Sequence, residues 1–226
     1  RLYSVNAAGV EGVGHIKDRD YTKVIEQAKT CKGFPQTVEP AIFHTVGYNH
    51  RTILPESLIE AVQKNIISRI FLIGGCDGSQ YERSYFTDLA EATPPDSLIL
   101  TLGCAKNRVI HSDKLKNKTL ANGLPRVLDM GQCNDSYSAI KVATELAKIL
   151  KCSVNDLPLS LAVSHLEQKA AAVLLTLLSM GVKNIRLGPH LPAYITPNVL
   201  KLLQANYNLM GTGMAKDDLA LMMKGQ

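Results

Sequence analysis

The chain has 226 residues, of which 46% are hydrophobic and 20% are charged, a composition typical of a folded globular protein rather than a disordered or fibrous one. Its formal net charge of +5 is spread thinly along the chain and forms no basic tract for nucleic acid. With 8 Tyr, 4 Phe and no Trp, the chain also has few aromatic side chains on which the bases of a single strand could stack. No apolar run reaches the roughly 18 residues of a membrane-spanning helix. We therefore expect a protein that neither binds nucleic acid nor spans a membrane.

The start of the chain and its cysteine content bear on the cellular compartment. Residues 1–20 lack the basic start and the apolar run of a secretory signal, and the first residue is Arg1 rather than Met. Five Cys is an odd number, in contrast to the even and dense cysteine content of disulfide-stapled secreted domains. We expect a cytoplasmic protein that is processed or is part of a longer chain, with thiols that serve structure, catalysis or metal binding.

The first 65 residues are less regular than the rest. Their pattern predicts a helix over 20–31, a strand over 41–46 and a helix over 56–66. The segment between the first two elements, KGFPQTVEP, contains Pro35 and Pro40, which are typical of a boundary. The sequence therefore predicts a leading segment, 1–40, that links to a preceding domain, and a C-terminal α/β domain, 41–226.

From residue 69 onward, short apolar runs alternate with segments of helical spacing. The runs are apolar at nearly every position, which is typical of parallel strands that are buried on both faces. This alternation predicts an α/β fold, a doubly wound and mostly parallel sheet with helices on both faces (Rossmann-like). The predicted strands are 70–73, 98–102, 126–130, 159–163 and 184–187, with a weaker sixth at 208–210, and the predicted helices are 85–92, 136–150, 166–180 and 197–205.

Three of the five cysteines follow the ends of predicted strands. Cys76, Cys104 and Cys133 are separated by 28 and 29 residues, about one strand-helix-strand repeat. Ligands of open α/β sheets bind outside the carboxyl ends of the strands, so we expect the three thiols to point toward one crevice. Thiolates favour zinc, copper(I) or iron–sulfur clusters, and the adjacent glycines favour a cluster over a single ion. The alternative is that the three cysteines are ordinary core residues.

Other candidates are less specific. His165 and Glu167 follow the fourth predicted strand, where His165 is either a proton donor or a partly buried structural residue. We interpret Cys31 and Cys152 as structural. The glycines of GGCDG do not form GxGxxG, which argues against a dinucleotide site.

Five segments together resemble the hybrid-cluster proteins, also called prismane proteins or hydroxylamine reductases: IFLIGGCDGSQYERSYF, LTLGCAKNRV, GLPRVLDMGQCNDSYSAI, VNDLPLSLAVSHLEQKA and MGVKNIRLGPHLPAYITPNVL. The resemblance covers nearly the whole chain. Nickel carbon monoxide dehydrogenases are related, but GGCDG and GQCNDSYSA favour the hybrid-cluster branch. The resemblance implies an iron–sulfur–oxygen cluster held by one His, two Glu and four Cys, and a two-electron reduction of hydroxylamine to ammonia and water, with nitric oxide reduction also attributed to the family.

The motifs of this family match individual residues of the chain. The resemblance implies that Cys76 takes the persulfide position, that Cys104 and Cys133 supply two further thiolates, and that Glu167 is a carboxylate ligand. Lys169 matches the family's lysine and would orient Glu167 or supply a proton. The catalytic candidates are thus Glu167 and Lys169, and the cluster ligands in this chain are the three cysteines and Glu167.

The chain also departs from this family. Members are much longer, with an N-terminal Cys motif for a conventional iron–sulfur cubane and a His, a Glu and a Cys ligand from a middle domain, which this sequence does not contain. It resembles their C-terminal portion, so we expect the isolated chain to be folded, without its cluster and inactive. Its expected partners are a small nitrogen substrate, the N-terminal and middle domains, and an unidentified redox donor. The alternatives are a non-catalytic α/β domain that binds a partner or another ligand, and a carbon monoxide dehydrogenase relative.

Overall fold

The computed structural model describes residues 2–5, 11–33, 50, 56–75, 83–164 and 168–225. The chain divides into two units, Arg1–His44 and Thr45–Gln226. The predicted division at residue 40 stays a prediction, and the predicted strand at 41–46 lies outside the described residues. In the part of the chain that the structure describes, no helix has the length and apolar character needed to cross a membrane.

The first unit contains two short parallel strands and a helix, which are β1 (Tyr3–Val5), β2 (Gly14–Ile16) and α1 (Thr22–Lys29). The sequence predicted the helix but neither strand, because three residues are too few to show an alternation of apolar and polar positions. The Asp20 carboxylate accepts a hydrogen bond of 3.0 Å from the Thr22 N–H. This bond satisfies one of the exposed donors at the start of α1.

The second unit is built on a six-stranded sheet in which all neighbouring strands are parallel. The spatial order is β5-β4-β3-β6-β7-β8, so the direction of winding reverses between β3 and β6. The predicted doubly wound α/β fold is confirmed. The strands are β3 (Ile70–Gly74), β4 (Leu98–Leu102), β5 (Val127–Asp129), β6 (Leu159–Ser164), β7 (Ile185–Gly188) and β8 (Met210–Gly211).

Five of the described helices of this unit lie between strands in the chain, one precedes the first strand of the sheet and one follows the last. The sequence predicted α3 and α5 at their observed bounds, and α7 begins as predicted, with the Thr196 hydroxyl accepting a bond from the Val199 N–H. It did not predict α4, which at six residues is too short to show a helical period, or α8. The helices are α2 (Glu56–Gln63), α3 (Tyr85–Ala92), α4 (Lys106–His111), α5 (Ser136–Leu150), α6 (Gln168–Ser179), α7 (Pro197–Tyr207) and α8 (Ala215–Met222).

Among the residues that the structure describes, three apolar clusters form the core and cover both faces of the sheet. Alternate side chains of β4 enter different clusters: Leu100 packs with residues of α2 and α5, whereas Ile99 packs with residues of α3 and α4. The third cluster joins β6 and β7 to α6 and α7. Because helices cover both faces, every position of β4 is buried, which explains the uninterrupted apolar run LILTL.

Candidate functional site

A cavity of about 260 Å³ opens at the carboxyl edge of the sheet. Gly75, which follows β3, and Ser164, which ends β6, both line it, so the cavity spans the point where the strand order reverses. Cys104 and Cys133, which follow β4 and β5, also line it. Ligands of doubly wound sheets bind at this switch point, so the fold places the two cysteines where a ligand is expected.

Close packing at Gly103 brings the two cysteines to one place. Gly103 has φ of +77°, and a Cβ added there would lie 3.3 Å from the Cys133 Sγ and 3.4 Å from the Gly75 carbonyl oxygen. A glycine at this position relieves both the backbone strain and the contact with the thiol. The Cys133 thiol therefore lies beside the position that a side chain at residue 103, directly before Cys104, would occupy. Cys104 is exposed and Cys133 is half-buried.

Backbone hydrogen bonds join the loops that follow three strands. The Gly103 N–H donates to the Gly131 carbonyl at 3.0 Å, and the Ala105 N–H donates to the Gly75 carbonyl at 2.8 Å. Cys104 thus lies between two residues that are bonded to the neighbouring loops on either side. The carboxyl ends of β3, β4 and β5 form one connected backbone frame around the cysteines.

The turn that carries Cys133 has its own cap. The Asp135 carboxylate accepts a hydrogen bond of 2.7 Å from the Gln132 N–H. Gly131 has φ of +103°, and a Cβ there would lie 2.3 Å from the Asp135 Oδ2. The glycine in MGQC therefore lets the carboxylate close over the turn, and this cap sets the direction in which Cys133 leaves the sheet.

A buried ion pair joins the segment after Cys104 to the segment before Cys133. The Lys106 Nζ donates to the Asp129 Oδ1 at 3.0 Å, and the two side chains are 9% and 1% exposed. The same Oδ1 accepts a bond of 2.8 Å from the Gly131 N–H. Neither residue was singled out from the sequence. The sequence did contain an indication of the pair. Asp129 stands in an apolar run that was expected to be a buried strand, and a buried charge requires a partner.

The structure describes some of the predicted site residues and not others. It brings Cys104 and Cys133 together at the cavity. Cys76, His165 and Glu167 lie outside the described residues. Lys169 is exposed in the first turn of α6, and its neighbour Ala170 lines the cavity. The roles of these residues stay predictions.

The two other cysteines are not among the residues that line the cavity. The Cys31 thiol is exposed and donates to the Gln27 carbonyl oxygen at 3.3 Å, at the end of α1. Cys152 is half-buried and packs against the cluster formed by α2, α5 and the sheet. The interpretation of these two thiols as structural stays a prediction.

The Cys104 and Cys133 thiols could supply part of the ligands of a metal ion or an iron–sulfur cluster. Two thiols at one cavity are suitable for soft metals or an iron–sulfur cluster. Within 2–5, 11–33, 50, 56–75, 83–164 and 168–225, however, no group of three or more His, Cys, Asp or Glu side chains could hold a metal ion. A closed zinc site or a cluster uses about four such ligands. Other residues would have to supply the remaining donors.

These features define an α/β protein that presents cysteine thiols at the switch point of a parallel sheet. A model of the Prismane/CO dehydrogenase family matches residues 1–220, and the chain belongs to this family. Hydroxylamine reductase from Moorella thermoacetica is 48% identical over 97% of this chain and 50% of its own length, and that from Zymomonas mobilis is 49% identical over 97% and 40%. The chain therefore spans half or less of these curated relatives, and the predicted family is confirmed.

Solved structures with this fold include proteins of the carbon monoxide dehydrogenase type. Alpha subunits of acetyl-CoA synthase/carbon monoxide dehydrogenase with NiZn[Fe4S4] and NiNi[Fe4S4] clusters match with a TM-score of 0.65 and 18% identity, over 100% of this chain and 42% of theirs. Carbon monoxide dehydrogenase from Thermococcus sp. AM4 matches with a TM-score of 0.63 and 20% identity, over 80% and 33%. At this level of identity the likeness shows the fold.

Proposed function

We propose that this chain is the cluster-binding α/β part of an oxidoreductase that reduces hydroxylamine to ammonia and water. The observation that carries the proposal is the meeting of Cys104 and Cys133, from two different strand ends, at one cavity at the switch point. The curated relatives at 48% and 49% identity, named hydroxylamine reductase, support this reaction. Nitric oxide reduction is a second reaction of the same class that the family resemblance suggests.

The proposed cofactor is an iron–sulfur–oxygen hybrid cluster. In this chain Cys104 and Cys133 would hold it, together with Cys76 as the persulfide and Glu167 as a carboxylate ligand. Cys76 directly follows Gly75, a residue of the cavity lining, which supports its inclusion. When bound, such a cluster supplies electrons and a Lewis-acidic iron that weakens the N–O bond.

The chain's own residues would set the conditions of the reaction. Much of the cavity wall is apolar, including Leu72, Leu102 and Ile140, and such a wall excludes bulk water and strengthens electrostatic interactions inside. Reduction of hydroxylamine consumes two electrons and two protons and breaks the N–O bond. Lys169, exposed in the first turn of α6, would receive protons from solvent and pass them inward or orient Glu167.

The rest of the ligand shell would come from outside this chain. We propose that a His, a Glu and a Cys of a middle domain complete the cluster site, and that a conventional iron–sulfur cubane in an N-terminal part receives electrons from a redox donor. The 226-residue chain alone would then be folded, without its cluster and inactive.

Ammonia formation from hydroxylamine tests this proposal in a full-length protein that contains the chain. We expect Cys104→Ser and Cys133→Ser each to abolish the reaction with a chemical reductant, whereas Cys31→Ser, which changes an exposed thiol of the first unit, retains it. Retention of activity in both cavity variants would contradict the proposal. A wild-type protein that binds iron but produces no ammonia would favour the non-catalytic alternative, and one that requires nickel would favour the carbon monoxide dehydrogenase alternative.

A further inference from the structure

We propose that Lys106 and Asp129 are positioning residues that hold the Cys104 loop against the Cys133 turn, so that both thiols are ready to share one metal group. This inference rests on the proposed function, in which the two thiols are ligands. Lys106 lies two residues after Cys104, and Asp129 lies four residues before Cys133. The pair thus connects the two ligand-bearing segments directly.

One carboxylate oxygen makes this connection. The Asp129 Oδ1 accepts the 3.0 Å bond from the Lys106 Nζ and the 2.8 Å bond from the Gly131 N–H. The first bond reaches the residues after Cys104, and the second reaches the residues before Cys133. Asp129 ends a strand of the sheet and its side chain is 1% exposed, so the surrounding packing and the two bonds together restrict the position of this oxygen.

A backbone hydrogen bond also joins the segment before Cys104 to residues 129–131. The Gly103 N–H donates to the Gly131 carbonyl oxygen at 3.0 Å, directly before the cysteine. Cys104 is therefore tethered at 103 and at 106 to the same short segment, 129–131. A shift of the Cys104 loop relative to segment 129–131, which leads into the Cys133 turn, would strain these bonds.

Stability alone is a poor explanation for this pair. Both charges are removed from water, and a buried ion pair often stabilises a protein no more than apolar side chains of the same volume would. An ion pair with an additional hydrogen bond does fix a distance and a direction, which apolar packing fixes less well. Groups that orient metal ligands in this way are expected to affect metal affinity.

The test compares a variant that removes both charges with a matched variant of an exposed pair. Lys106→Met with Asp129→Asn removes the buried pair, while the introduced amide oxygen can still accept from the Gly131 N–H. Lys148→Met with Glu145→Gln removes an exposed pair of α5, in which the Nζ and the Oε1 are 2.8 Å apart. The apo form of a full-length protein that contains the chain is titrated with Cd²⁺, and thiolate-to-metal absorption reports binding at the cysteines. A Cys104→Ser, Cys133→Ser double variant gives the baseline.

We expect the buried-pair variant to bind Cd²⁺ about 10- to 100-fold more weakly than the wild type, while its midpoint of urea unfolding stays close to that of the wild type. The exposed-pair variant should match the wild type in both. If the buried-pair variant does not fold, Lys106→Gln with Asp129→Asn, which keeps a neutral donor and a neutral acceptor and leaves no unpaired buried charge, should still weaken Cd²⁺ binding. Unchanged Cd²⁺ affinity in a folded variant, or wild-type affinity no higher than the baseline, would overturn the inference. Normal Cd²⁺ binding without cluster assembly by the wild type would instead contradict the proposed function alone.

Discussion

At the scale of single residues, the candidate site depends on positions where a side chain is absent. Gly103 and Gly131 both have positive φ, and a Cβ at either would approach an atom of the Cys133 turn. These two glycines allow three strand-end loops to converge on one cavity. The positions of the Cys104 and Cys133 thiols therefore depend on glycines that have no reactive side chain.

Gly103→Ala tests this dependence. We expect a loss of about 1 kcal/mol in the free energy of unfolding from the backbone alone, since φ at this residue is +77° and alanine disfavours that region. The added Cβ would also displace the Cys133 Sγ, 3.3 Å away, so metal binding at the two cysteines should fall. Urea unfolding and Cd²⁺ titration measure the two effects.

Gly123→Ala is the matched control, because Gly123 has φ of +83° and an added Cβ would meet no atom within 4 Å. It should show the backbone cost and leave Cd²⁺ affinity unchanged. Equal Cd²⁺ affinity of the two variants would mean that the contact between position 103 and Cys133 does not matter for the site.

At the scale of secondary-structure elements, burial decides what each helix contributes. Leu174 and Leu175 are adjacent in α6, yet Leu174 is 1% exposed in the cluster around β6 and β7, and Leu175 is 58% exposed. Truncation of Leu174 to Ala should lower the free energy of unfolding by about 2 to 5 kcal/mol, since it leaves a cavity in the core. Leu175→Ala should change it by about 0.5 kcal/mol or less. Similar values for the two variants in urea unfolding would contradict the observed orientation of α6.

A carboxylate at the end of α3 links that helix to the loop after α4. The Glu91 Oε2 accepts a bond of 2.6 Å from the Lys114 Nζ, and its Oε1 accepts one of 2.7 Å from the Ser112 hydroxyl. The hydrogen bond from Lys114 first, and that from Ser112 second, hold the pKa of Glu91 below its ordinary value of 4.5. The charged form of Glu91 therefore stabilises the folded state.

This lowered pKa predicts a pH dependence of stability. The contribution of Glu91 is present above about pH 4.5, where the carboxyl is ionised in both states, and is lost as the pH falls through the lower pKa of the folded state. We expect Glu91→Gln to lower the free energy of unfolding at neutral pH by about 1 kcal/mol or less, and to reduce the loss of stability below pH 4.5. Urea unfolding at several pH values measures this, and parallel curves for variant and wild type would contradict it.

The elements differ in how far the sequence determines them. The β4 run LILTL is buried at every position and was predicted at its observed bounds, because a run that is apolar on both faces has few alternative structures. The six residues of α4 show no helical period, so that helix was not predicted. The Lys106 and Asp129 pair was missed for another reason, since its members are 23 residues apart and meet only through the pairing of β4 with β5.

At the scale of the whole molecule, the order of the strands creates the site. The alternation of apolar runs and helical segments predicted a parallel α/β sheet, but it did not determine that β3 lies between β4 and β6. That order places the ends of β3, β4 and β6 around one cavity, and Cys133, from the loop that follows β5, also lines it. The prediction that cysteines after different strands converge is confirmed for Cys104 and Cys133 and stays a prediction for Cys76.

The most direct test of the central claim is the content of iron and acid-labile sulfide per chain after anaerobic reconstitution of a full-length protein that contains this chain. The wild type and Cys31→Ser should hold the same cluster, while Cys76→Ser, Cys104→Ser and Cys133→Ser should each lose it. Full iron and sulfide in Cys104→Ser or Cys133→Ser, with the fold intact, would contradict the assignment of the switch-point cavity as the cluster site.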